Sequence, residues 1–247
     1  MSVDPGGTPK IMFGRGGRRH RGGAARASGN EPQPRLLAAA GFLAHLRSGA
    51  VADAGRAELL GGRVVFLPRL LPAQAAAVLG LHARLAAALG PWSPSRSSGA
   101  AYRPPAEAIK RPLLGLGPED LLRPEIAVLA TPARWLEEPE ALGQPRERAL
   151  AGESLGSEGV VLAVELAIAG RNAGGRSRTE GAVTPRLAAY ARAGVREVWL
   201  LDLHRGWTEA YRAPWSGSFR SRTLWYPGEE VPLSSLPGVT ALALETG

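Results

Sequence analysis

The sequence predicts an α/β (α+β) domain: a mixed central β-sheet flanked by helices. Three observations carry the fold class. Val160 to Ile168 is an apolar run of strand length, interrupted only by Glu165. Beyond a Gly- and Arg-rich loop, a helix-like segment ends Leu187-Ala188-Ala189-Tyr190-Ala191-Arg192-Ala193-Gly194-Val195, and Arg196 to Asp202 follows directly as a second strand. Strand, helix, strand in that order packs helices on a sheet. Finally, alternation at Trp207–Arg212 and Phe219–Trp225 marks an antiparallel pair, so parallel and antiparallel strands are mixed.

Residues 1–34 carry Gly, Arg, Pro and Ser with almost no apolar periodicity. Such a segment buries too little surface to offset the entropy of ordering, and it reads as a disordered basic arm. The competing reading is a start codon placed too early, with Met12 or a later residue as the true start. Residues 35–247 form the folded domain. Leu36 to Leu46 has helical spacing and stops near Gly49. Ala57 to Pro68 reads as a hairpin, because two short β-compatible runs flank Gly61-Gly62, a pair that permits positive φ. Pro72 to Leu89 is helical, with Pro in the first turn and Gly90-Pro91 as the stop.

Residues 91–123 are rich in Pro, Ser and Gly and hide one or two irregular strands with no definite place. Glu125 to Ala130 is a short apolar strand, 131–158 a loop with a helix around Arg146 to Gly152, and Val239 to Leu244 a last strand.

Composition narrows the function classes. A chain of 247 residues with 45% apolar content suits one compact domain plus a tail. Without cysteine there are no disulfides and no thiolate metal sites, which is compatible with a reducing cytoplasm. No apolar run reaches membrane-spanning length, and the N-terminus lacks the apolar core of a secretion signal, so a soluble protein is expected. The net charge of +8 suggests an anionic partner such as nucleic acid. Up to Leu36, seven basic side chains oppose two acidic ones, so +5 of that charge precedes the domain and +3 remains for it. Arg outnumbers Lys 28 to 2, a bias that a GC-rich genome produces as readily as phosphate binding does.

Glu165 is the residue that most needs a reason, since an unpaired charge inside an apolar strand is costly. Glu125 opens another apolar strand. If the two strands are neighbours, the carboxylates converge on one Mg²⁺ (or Mn²⁺), a hard cation that takes oxygen ligands and keeps several waters. Such an ion polarises a phosphate and lowers the pKa of a bound water, as phosphodiester hydrolysis requires. Arg186, on the following helix, is the basic side chain that would stabilise the developing charge.

Pro124-Glu125-Ile126-Ala127-Val128, Val164-Glu165-Leu166 and the long stretch from Arg186 to Asp202 together resemble the Uma family of restriction-endonuclease-like proteins, in the PD-(D/E)XK nuclease superfamily. Glu58 to Val65 resembles that family's N-terminal hairpin, and the likeness spans roughly Ala54 to Leu244. The resemblance implies a metal-dependent nuclease fold with its acidic cluster on adjacent strands. It puts the metal-binding acids at Glu125 and Glu165, the helix cation at Arg186 and a further acidic position at Glu58. It also implies DNA as substrate, and it leaves room for a homodimer. Four positions depart from the pattern: Glu125 replaces the usual Asp, Arg186 the usual Lys, Ile168 a Ser, and Ala182 an Asp. A longer carboxylate shifts a bound metal, and an arginine cannot lose its proton.

Each residue also has a plain reading. Glu125 caps a strand at the surface; Glu165 pairs with an arginine and needs no metal. Arg186 is a solvated helix residue, Glu58 a hairpin-edge charge, and Tyr190 core packing with its hydroxyl near the site. Asp202 ends its strand, and Trp199, Trp207 and Trp225 are core or sheet-face residues. His45, His82 and His204 show no metal spacing. The arginines of the Gly170 to Arg178 loop either touch phosphate or line a solvated turn. Three functions follow: a Mg²⁺-dependent endonuclease cleaving DNA, a catalytically degenerate relative that binds nucleic acid or a protein, and an interaction protein with no nucleic-acid role.

Overall fold

The computed structural model describes residues 36–90, 106–130, 154–167 and 178–244, with the side chains of 178–182 excepted. The basic arm read at 1–34, the helix expected around Arg146 to Gly152, Ile168 and most of the Arg-rich loop lie outside them, as does the side chain of Ala182. The described residues belong to one compact unit.

Helix α1 (Ala39–Arg47) precedes the hairpin of β1 (Ala57–Leu60) and β2 (Arg63–Phe66). Gly61 and Gly62 turn it with φ of 56° and 71°, the two positive values that a type I′ turn needs and that only glycine adopts without strain. Helix α2 (Pro72–Leu89) starts on its proline, and Gln74 Oε1 accepts a hydrogen bond from the Leu71 N–H at 2.9 Å.

The segment from 106 to 122 holds three strands, more than its sequence suggested: β3 (Ala106–Lys110), β4 (Leu113–Gly115) and β5 (Leu121–Leu122). They are short, and the Pro and Gly residues between them conceal their periodicity. There follow β6 (Ile126–Ala130), β7 (Ser154–Gly156), β8 (Val160–Leu166), helix α3 (Arg178–Arg192), β9 (Glu197–Asp202), β10 (Trp207–Trp215) and β11 (Ser218–Trp225). The strand expected at Val239 to Leu244 is shorter. It is β13 (Thr240–Leu242), and it pairs with β12 (Glu230–Pro232) apart from the main sheet.

There are two main sheets rather than one. The larger runs β11-β10-β9-β8-β6-β3, and the smaller β2-β1-β5-β4-β7. In the larger, β8 and β9 are parallel and joined through α3, while the other neighbouring pairs are antiparallel. One face, with Ile126, Val128, Val164, Trp199 and Leu201, packs on Val78, Leu81 and Leu85 of α2 and on the C-terminal Val231, Leu236 and Val239. The opposite face, with Ala127, Leu129, Ala163 and Val198, shares a second core with Ala189 and Tyr190 of α3 and with Leu114, Leu122 and Leu155 of the smaller sheet. The outer face of the smaller sheet carries α1 through Phe42, Leu59 and Leu121. Every residue of β6, β8 and β9 is buried, which explains why those strands read as continuous apolar runs. Among the described residues no helix is long and apolar enough to cross a membrane.

Candidate functional site

Side-chain alternation decides where the acids point. In β6, Ala127 and Leu129 face α3, so Glu125, two residues earlier, faces it too; in β8 the same parity takes Glu165 there with Ala163. The register pairs Ile126 with Val164 and Ala127 with Ala163. One step further along those antiparallel strands, Glu125 stands beside Glu165. The Glu125 N–H donates to the Val164 carbonyl at 2.8 Å and fixes this junction. From the smaller sheet, Glu58 points to the same core, on the β1 face it shares with Leu60. It is fully buried, so the reading of Glu58 as a hairpin-edge charge is corrected: alternation turns it inward.

Arg186 closes the group. Its guanidinium donates through Nη1 to Glu58 Oε2 and through Nη2 to Glu165 Oε1, the latter at 2.6 Å. A planar fork can bridge two carboxylates in this way, whereas a lysine ammonium would act as a point charge. Arg186 is 9% exposed, so it is no solvated helix residue. The Tyr190 hydroxyl donates to the same Glu165 Oε1 at 2.5 Å. Tyr190 and Arg186 lie one helical turn apart on α3 and therefore reach the sheet together. The helix ends just beyond them in a Schellman motif: Val195 N–H bonds the Tyr190 carbonyl at 3.0 Å, Gly194 N–H bonds Ala191 at 3.2 Å, and Gly194 takes φ 76°. That cap is the physical content of the Tyr-Ala-Arg-Ala-Gly-Val stretch.

Glu125 is held differently. Arg111 Nε lies 3.4 Å from Glu125 Oε2, and that oxygen is buried without a hydrogen-bond partner among the described residues. Burial pushes its carboxyl above the ordinary range, against the pull of Arg111 and with the repulsion of Glu165. Burial likewise raises Glu58, opposed by Arg186. The two carboxylates hold the Arg186 cation well above its ordinary value, and burial with the neighbouring Glu165 keeps the Tyr190 hydroxyl protonated to well above its usual range.

The residues fit one hard divalent ion sparingly. Among the described residues no three acidic or histidine side chains form a metal-holding group. Mg²⁺ is commonly held by only one or two carboxylates, with water and substrate phosphates completing its shell. Glu125 offers an oxygen with no hydrogen-bond partner among the described residues, and the bonds from Arg186 and Tyr190 both fall on Oε1 of Glu165.

The sequence decides the family: the model of the Uma2 family, described as "Putative restriction endonuclease", matches residues 45–245. The chain belongs to the Uma2 family. A crystal structure described as that of a "putative nuclease" of the DUF820 group from Anabaena variabilis is similar in fold, with a TM-score of 0.53, 17% identity and coverage of 80% of this chain and 94% of that one. No curated protein matches.

Sequence reasoning overlooked several groups. Arg111, Arg123 and Asp120 flank the candidate site without lying in any apolar pattern that would flag them. Arg123 donates its N–H to Glu58 Oε1. Asp120 accepts from the Gly61 N–H at 2.8 Å and from Arg192 at 3.0 Å, and so ties the hairpin turn to the end of α3. Elsewhere, Glu197 is buried as a structural hub, accepting from Trp199, Arg212 and Ser234. Asp202 ends β9 by accepting from the N–H groups of His204 and Arg205, and Trp199 is fully buried core.

Proposed function

We propose that this chain is a divalent-metal-dependent endonuclease that hydrolyses DNA phosphodiester bonds, with Glu125 and Glu165 as the metal-binding carboxylates. The observation that carries the reading is the buried Oε2 of Glu125, without a hydrogen-bond partner among the described residues, on the same sheet face as Glu165 and next to it. Leaving a buried acceptor unpaired costs about 1–3 kcal/mol, and a bound cation removes that cost. Mg²⁺ or Mn²⁺ in this position would supply Lewis acidity toward a phosphate and a more acidic bound water. The chain's own residues do the rest. Tyr190 and Arg186 fix the rotamer of Glu165, and Glu58 in turn fixes Arg186. Arg186 keeps its proton throughout, so it serves as a fixed positive charge and not as a general acid. The basic arm at residues 1–34 would add non-specific attraction to the DNA backbone.

One observation favours a second reading. Arg186 already pairs with both Glu58 and Glu165, so the cluster can hold together as an ion-pair network with no metal. In that case the fold serves as a nucleic-acid or protein binding module that has lost catalysis.

Cleavage separates the two. Purified protein with Mg²⁺ or Mn²⁺ is expected to cut single- or double-stranded DNA, and Glu165→Gln to lose at least 100-fold of that activity, about 2.7 kcal/mol of transition-state stabilisation. Absence of metal-dependent cleavage on both substrates, with the protein folded, contradicts the enzyme and leaves the binding module.

A further inference from the structure

Arg111 sits in the bend between β3 and β4, beside the candidate site and outside every role assigned so far. Its backbone is left-handed, with φ 48°, a strained choice for a non-glycine residue and one that tends to persist at functional positions. The Arg111 N–H donates to the Glu125 carbonyl at 3.0 Å, so the strained residue is fastened to the segment that presents Glu125.

The guanidinium is poorly satisfied. Nε and Nη2 are buried with no hydrogen-bond partner among the described residues, and the nearest acid, Glu125 Oε2 at 3.4 Å, is itself unbonded. Neighbouring arginines differ. Arg186 bridges two carboxylates, Arg56 donates to Asp53 and to the Leu67 carbonyl, and Arg123 donates to the Ala57 carbonyl. A third of the Arg111 side chain remains exposed, against 7% for that of Glu125, so Arg111 lies on the solvent side of this pair. A counter-ion serving Glu125 alone would close to a hydrogen-bonded, bidentate pair. An arginine held short of that pairing, with a third of its side chain exposed, has the fork geometry and, at its buried Nε and Nη2, the unused donors that a phosphate group entering the site would satisfy.

We propose that Arg111 is a phosphate-binding residue of this site and grips a backbone phosphate of DNA beside Glu125. The identity of the anion rests on the nuclease reading above; the unsatisfied guanidinium does not.

The test is binding of a fluorescein-labelled DNA duplex, followed by anisotropy across a salt titration in EDTA, where cleavage makes no contribution. Loss of one phosphate contact lowers the slope of log K against log salt by about 0.9. Arg111→Gln is expected to show that loss, and Arg111→Lys, which keeps the charge, to retain the wild-type slope. Arg111→Gly relieves the left-handed backbone and replaces Arg111→Gln should the latter fail to fold. A wild-type slope in folded Arg111→Gln or Arg111→Gly overturns the proposal, as does wild-type protein that binds no DNA at low salt. A reduced slope in a protein that never cleaves DNA would leave Arg111 standing and remove the nuclease. Cleavage with an unaltered slope would do the reverse.

Discussion

The candidate site works at the level of single atoms, and Glu165 Oε1 is where two of its bonds meet. Two donors from one helix, Arg186 Nη2 and the Tyr190 hydroxyl, fall on that oxygen. Both are buried, so neither can exchange its partner for water cheaply. Tyr190→Phe deletes one charge-assisted bond while keeping the ring that packs in the core. It is expected to cost about 1.5–3 kcal/mol in denaturant unfolding, and, because Glu165 is then held by Arg186 alone, to weaken cleavage as well. An unchanged midpoint and unchanged cleavage would show that the hydroxyl positions nothing. The departures from the family pattern take on physical meaning at this scale. At 186 an arginine bonds Glu58 through one terminal nitrogen and Glu165 through the other.

At the scale of elements, the hairpin and α3 are the parts that aim the site. Gly62 is constrained from two sides: φ is 71°, and an added Cβ would lie 2.8 Å from the Leu36 Cβ and 3.3 Å from the Leu37 backbone. Gly61 has φ 56° with open space around its would-be Cβ. Gly62→Ala is therefore expected to destabilise the protein by about 2–3 kcal/mol, and Gly61→Ala by about 1–2 kcal/mol, the cost of a left-handed alanine. Equal costs in thermal or denaturant unfolding would contradict the crowding argument. The hairpin, α2 and the β8-α3-β9 unit were legible in the sequence, because Gly-Gly, Pro at a helix start and long apolar runs are local signals. The strands β3, β4 and β5 were not, since pairs as brief as Leu121–Leu122 leave no period to detect. The division into two sheets was also hidden, because it depends on distant pairings such as Leu59 with Leu121. Glu125 and Glu165 stood out as charges in apolar strands. Arg111 did not, because its significance lies in hydrogen bonds it fails to make, and these exist only in three dimensions.

At the scale of the whole molecule, three elements from distant parts of the chain meet around one core: β1 with Glu58, the β6–β8 pair with Glu125 and Glu165, and α3 with Arg186 and Tyr190. The net charge of +8 is weighted toward the first 36 residues, so on the proposed reading most long-range attraction to DNA comes from outside the site, and Arg111 adds a phosphate contact within it. The central claim is that Glu125 and Glu165 together hold a divalent ion, and calorimetric titration of Mn²⁺ into the folded protein tests it most directly. The account predicts a single saturable site that Glu125→Gln and Glu165→Gln each abolish. Because burial raises the Glu125 pKa, protons should compete with the ion and its affinity should fall as pH is lowered through that raised value. Wild-type protein that takes up no Mn²⁺, or variants that bind it as the wild type does, would contradict the claim.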